Sequence, residues 1–190
     1  GSEMCIRDRI TSIDQGSLFN FQRDSLYKTG EHKYCQSCTK SQINNTDIIR
    51  EAGRILKEGG LVAFPTETVY GLGADALNED AAKKIYAAKG RPSDNPLIIH
   101  ITNMKALEKI VSEVPEKAVK VAEKYWPGPL TMIFNKSDIV PYGTTGGLDT
   151  VAVRMPVDEI AREVIDAGGG YIAAPSANTS GRPSPTTAQH

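Results

Sequence analysis

Short, continuous apolar runs alternate along the chain with stretches whose apolar residues recur every three or four positions. This alternation predicts strands interleaved with helices. Ile48, Ile49, Ala52, Ile55 and Leu56 share one face of a helix that Thr46 caps, that runs to about Glu58 and that Gly59 ends. Residues 61–64 are wholly apolar and stop at Pro65, a strand whose ladder ends because proline has no N–H to donate. A second extended piece is expected around residues 73–77. Asn78 then caps a helix over 79–89, with Glu79 and Asp80 in its first turn and Gly90 after its last. Residues 96–101 are rich in branched side chains and read as a buried strand.

The same pattern continues to the tail. Asn103 caps a helix with Leu107, Ile110, Val111 and Val114 inward, and Pro115 starts another that ends at Tyr125. Strands are expected at 130–134, 149–154 and 171–174, a glycine-rich loop at 137–148, and a helix at 157–167 before Gly168-Gly169-Gly170. Residues 1–45 break this order. Their aromatics (Phe19, Phe21, Tyr27, Tyr34) follow no period, Gly1-Ser2 reads as a cloning scar, and the segment is expected to be a disordered or artefactual leader. His32, Cys35 and Cys38 are spaced as zinc ligands, but a structural zinc takes four and no fourth stands at customary spacing, so no metal site is expected.

Composition narrows the class. With 190 residues, 39% hydrophobic and 24% charged, the chain suits one globular domain with a real core. A net charge of −1 gives no general field for nucleic acid, so any anion site must come from local Lys and Arg. No apolar run is long enough to span a membrane, no secretory core is seen, and three cysteines make no disulfide framework; the cytoplasm is expected.

Two strand ends share a design. Residues 61–64 and 171–174 both meet a proline and then small polar side chains, Thr66-Glu67-Thr68 in one case and Ser176-Ala177-Asn178 in the other. Gly71 and Gly73, just beyond the first, are expected to let a ligand approach the backbone. On one sheet edge the two ends would line a crevice where α/β proteins bind small ligands. Lys89-Gly90-Arg91-Pro92 adds two cations at a helix end. Taken singly, other residues read more plainly. Arg154 is a surface cation, His100 a half-buried histidine, Lys83 and Lys84 solvated helix surface, and Trp126-Pro127-Gly128-Pro129 a turn with an aromatic plug.

Taken in order, PTETVYGLGADA, KGRPSDNPLIIHI, WPGPLT, TGGLDTVAVRMP and APSANTSGRPSPTTA make the chain resemble the threonylcarbamoyl-AMP synthase family, the YrdC-like domain, over residues 47–190. The resemblance implies an α/β fold of α+β type, an open twisted mixed β-sheet flanked by helices with a concave, positively charged face. It implies condensation of L-threonine, bicarbonate and ATP into threonylcarbamoyl-AMP and pyrophosphate, for the threonylcarbamoyl modification of adenosine beside the tRNA anticodon. By the same resemblance Lys89, Arg91, Ser176 and Asn178 surround the nucleotide phosphates and carry the chemistry, and Asn95, Thr150 and Ser184 are further ATP contacts. Thr68, His100, Arg154 and the backbone at Ala174 match the L-threonine positions.

ATP would arrive with Mg²⁺ as a substrate complex, with no permanent cofactor; adenylation needs no nucleophile–base–acid triad, and none is visible. The implied partners are tRNA or double-stranded RNA and downstream threonylcarbamoyl-transfer proteins, with no membrane. The family domain continues past the position of His190, so residues 46–190 are expected to be a YrdC-like domain without its C-terminal part. Two other readings stand beside this one. The first is a non-catalytic RNA- or nucleotide-binding paralogue on the same fold, and the second a carbamoyl-adenylate role with another acceptor.

Overall fold

The computed structural model describes residues 9–14, 17–22, 45–90 and 92–186. Strands β1 (Arg9–Asp14) and β2 (Ser17–Gln22) form a hairpin within the segment expected to be a leader. There follow α1 (Asn45–Lys57), β3 (Leu61–Phe64), β4 (Gly71–Asp75), α2 (Glu79–Lys89), β5 (Ile98–His100), α3 (Met104–Ile110) and α4 (Glu116–Tyr125). The chain continues through β6 (Thr131–Asn135), α5 (Tyr142–Thr145), β7 (Thr150–Arg154), α6 (Glu159–Ala167) and β8 (Ile172–Ala173).

Local chemistry accounts for most boundaries. The Asn78 side chain accepts from the amides of Asp80 and Ala81 at 3.0 and 3.2 Å, fixing the start of α2. Gly90 ends it at φ 62°, a left-handed conformation that costs glycine nothing and strains other residues. Four expectations are corrected. Thr46 lies inside α1 and does not cap it. β4 starts two residues earlier than expected and stops at Asp75, whose carboxylate turns the chain by accepting from the Leu77 amide at 2.9 Å. Val114 falls outside α3, because Val111 is extended and bridges Lys136. The loop at 137–148 holds α5, a helix of one turn and too short to show a period.

Among the described residues the strands form one sheet in the order β2-β1-β3-β4-β8-β5-β7-β6. The β1–β3 and β5–β7 pairs are parallel and the others antiparallel, so the sheet is mixed and flanked by helices, as expected. A large core lies on one face, where Ile85, Leu107, Ile110 and Trp126 meet Ile99, Val151 and Val153. Trp126 is a buried plug, its indole N–H donating to Leu130 O at 2.7 Å. A smaller core on the other face joins Ile48 and Leu56 of α1, Val164 and Ile165 of α6, and Val62, Phe64 and Ile172 of the sheet.

That second face is covered only in part. Along β7, Val151 and Val153 are buried, while Thr150, Ala152 and Arg154 alternate with them and stay half-buried. Directly paired residues share a face, so β5 adds Ile98 and His100 to this side, and β6 adds Thr131, Ile133 and Asn135. Ile133 is 70% exposed. The half of the sheet built from β5, β7 and β6 therefore presents an open face beside the α1–α6 layer.

Candidate active site

The two proline-stopped strand ends meet. Leu72 donates to Pro175 O at 2.9 Å, Ala177 to Tyr70 O at 2.8 Å and Tyr70 to Pro185 O at 2.9 Å, with a bridge between Gly71 and Ser176. The loop after Pro65 is held from within by Thr66. Its hydroxyl donates to Val69 O at 2.7 Å and accepts from the Thr68 amide at 3.2 Å. The glycines next to this loop have another task than the one expected of them. A Cβ on Gly73 would lie 2.6 Å from the Phe64 ring and 2.9 Å from Ile172, and one on Gly71 would lie 3.3 Å from the Ala174 Cβ. They make room for Phe64 in the smaller core, and the close approach they permit is that of a side chain.

Three of the four residues matched to nucleotide phosphates come together at this junction. Lys89, only 3% exposed, donates through Nζ to the carbonyls of Ser176 and of Asn178, the latter at 2.6 Å. Its own carbonyl accepts from the Ser180 amide at 3.1 Å. Ser176 Oγ donates to Asn178 Oδ1 at 2.5 Å, and Asn178 Nδ2 donates to the carbonyls of Thr179 and Arg182. Ser184 Oγ stands 3.4 Å from Asn178 Oδ1. Lys89 thus ties α2 to a turn whose polar side chains are locked to one another. Asn95 is exposed just ahead of β5, and Thr150 opens β7 opposite Asn135. Arg91 lies outside the described residues, as do His32, Cys35 and Cys38. Lys83 pairs with Glu79 and Asp80, and Lys84 donates to Gly59 O at 2.7 Å.

The residues matched to threonine gather on the open face. His100 pairs with Arg154 across β5–β7 and with Ile172 across β5–β8. Arg154 Nη1 and Nη2 each lie 3.4 Å from Thr68 Oγ1, which brings the loop across the sheet. The Ala174 amide is spent on Ile98 O at 3.0 Å. His100 is buried deeper than its sequence context suggests, at 3% exposure. Burial first, and then the Arg154 charge, push its imidazole down to about 4, against the pull of the Ile98 and Ile172 carbonyls and of Glu67. At neutral pH it is uncharged and does not repel Arg154.

Glu67, to which the sequence reading assigned no role, completes the group. Its Oε1 lies 2.6 Å from Arg154 Nη2. Burial, the largest single influence, would raise this carboxyl. The Arg154 hydrogen bond, the amides of Glu67 and Val157 and the Arg154 charge together carry it below the usual carboxylate range. A carboxylate beside hydroxyls in a strand-end loop was the signal available in the sequence. Arg154 Nε is buried without a hydrogen-bond partner, and such an orphan donor costs about 1–3 kcal/mol. Among the described residues no cluster of three or more His, Cys, Asp or Glu could hold a metal ion, and no helix is long and apolar enough to cross a membrane.

Comparison with known proteins identifies the family. A family model described as Telomere recombination, that of the Sua5, YciO and YrdC proteins, matches residues 54–190. The threonylcarbamoyl-AMP synthase of Pyrococcus abyssi (strain GE5 / Orsay) is 61% identical over 142 residues, 75% of this chain and 42% of that protein. The threonylcarbamoyl-AMP synthase of Bacillus subtilis (strain 168) is 54% identical over 153 residues, 80% of this chain and 44% of that protein. The crystal structure of P. abyssi Sua5 complexed with L-threonine matches with a TM-score of 0.75 and 58% identity, over 79% of this chain and 44% of that one. The chain therefore spans less than half the length of these relatives. By the family match and these identities, the chain belongs to the Sua5/YciO/YrdC family.

Proposed function

We propose that this chain carries the substrate-binding part of an L-threonylcarbamoyladenylate synthase, which joins L-threonine, bicarbonate and ATP. The observation that supports this most is the meeting of the two proline-stopped strand ends beside one open sheet face. One end carries Ser176 and Asn178 with Lys89 behind them, and the other brings Thr68 and Glu67 to Arg154. Thr150 and Arg154 project from the same face of β7, about 13 Å apart at 3.3 Å per residue. That separation suits a nucleotide at one end and an amino acid at the other.

In this reading the threonine amine and bicarbonate form a carbamate with loss of water. A carbamate oxygen then attacks the α-phosphate of ATP, and pyrophosphate leaves. Two anions must meet, so cations offset their repulsion: Arg91 binds phosphate as a fork, and Lys89 lends its charge from behind the turn it holds. Ser176, Asn178 and Ser184 offer hydroxyl and amide groups to the phosphates, and Asn95 and Thr150 contact the rest of the nucleotide. Mg²⁺ travels with ATP as part of the substrate. Arg154 and Thr68 receive the threonine carboxylate, with neutral His100 beneath them and Ala174 contributing backbone. Catalysis is then a matter of positioning and electrostatic stabilisation.

The product would pass to threonylcarbamoyl-transfer proteins acting on tRNA, in the cytoplasm. The test is pyrophosphate release from MgATP and bicarbonate with and without L-threonine. Release that requires threonine supports the proposal, and release indifferent to threonine points to another acceptor. No release from a chain extended to the length of its relatives favours a nucleotide- or RNA-binding paralogue.

A further inference from the structure

The Arg154 side chain is largely covered, with its Nε buried, and its ion-pair partner is the carboxylate of Glu67. Glu67 Oε1 engages Nη2 at 2.6 Å, with the two side chains 18% and 11% exposed. The nearby amides of Glu67 and Val157 favour its charged form, as Arg154 does. Thr68 Oγ1 sits off the end of the fork, 3.4 Å from both Nη1 and Nη2. That is long for a hydrogen bond, so Nη1, and the Nη2 N–H that Glu67 does not take, are only weakly engaged. An acceptor with two oxygens would engage both. With Glu67 charged, the Arg154–Glu67 pair has no net charge, which suits a zwitterion better than a phosphate.

We propose that Glu67 is a positioning residue: it sets the Arg154 fork for an amino-acid carboxylate and keeps this pocket from taking phosphate. The inference rests on the threonine reading above, and the experiment separates the two. L-Threonine and ATP binding are measured by calorimetry on the wild-type chain, Glu67→Ala and Glu67→Gln, and threonine binding is repeated with inorganic phosphate as competitor. Glu67→Ala is expected to weaken threonine at least tenfold with ATP affinity unchanged. Glu67→Gln, which keeps an acceptor of the same shape, should lose less affinity yet let phosphate compete where wild type does not. Wild-type threonine affinity in both variants, or loss of threonine and ATP together, overturns the role of Glu67 and leaves the threonine reading standing. A wild-type chain that binds no threonine overturns both.

Discussion

Acid should strip stability from this protein through His100, in a defined window. The imidazole is 3% exposed, and its folded value is about 4 against an ordinary 6.5. Between those values the unfolded chain binds a proton that the folded chain refuses, so stability falls as pH drops from about 6.5 to about 4 and levels off below. At 1.36 kcal/mol per unit, the span of about 2.5 units is worth about 3 kcal/mol. Glu67 overlaps this window only at its acid end. Its folded value lies below the ordinary 4.5, so its contribution is intact above about 4.5 and declines from there toward the lower value, in wild type and in a His100 variant alike.

The assay is urea unfolding at pH 7, 6, 5 and 4 for wild type and for His100→Gln, whose amide can still donate to Ile98 O but cannot take up a proton. Wild type should lose about 3 kcal/mol more than the variant over this range. Parallel losses would refute the claim that a neutral imidazole is enforced beneath Arg154. His100 is the ionisable group buried deepest in its cluster with Glu67 and Arg154, so the same result would also support the geometry around it.

Three further outcomes follow from particular contacts. Arg154→Ala should raise KM for L-threonine at least tenfold, since a hydrogen bond to a charged group is worth about 1.5–3 kcal/mol; Arg154→Lys should not restore it, because one ammonium cannot hold Glu67 and present a fork. Ser176→Ala and Asn178→Ala share a 2.5 Å hydrogen bond, so their effects on ATP KM should be non-additive by about 0.5–3 kcal/mol in a double-mutant cycle. Gly73→Ala would place a Cβ 2.6 Å from the Phe64 ring and should cost about 1–3 kcal/mol in urea unfolding, whereas a glycine kept only for ligand access would tolerate alanine with full stability.

The fold was legible where period and punctuation agreed. Asn78 and Gly90 bracket α2, and Pro65 and Pro175 mark strand ends that turn out to be neighbours. Elements too short for a period were not legible: α5 has four residues, and β1 and β2 show no helical or strict alternating repeat. The candidate site was legible as motifs, and the structure brings Lys89, Ser176 and Asn178 together, and likewise Thr68, His100 and Arg154. Glu67 was visible only as a carboxylate beside hydroxyls; its ion-pair partner lies 87 residues away in sequence, a pairing no local pattern encodes. Gly71 and Gly73 show the same limit. A glycine in a strand looks alike whether it faces a ligand or a phenylalanine ring, and here it faces Phe64.

The proposed chemistry is read by following the carbon of bicarbonate. The chain, extended to the length of its relatives if required for turnover, is incubated with L-threonine, MgATP and ¹³C-bicarbonate, and the nucleotide products are weighed by mass spectrometry. An adenylate carrying threonine and one heavy carbon, formed in step with pyrophosphate, is the expected product. Pyrophosphate without that labelled adduct, or a label that never enters a nucleotide, would contradict the proposed chemistry.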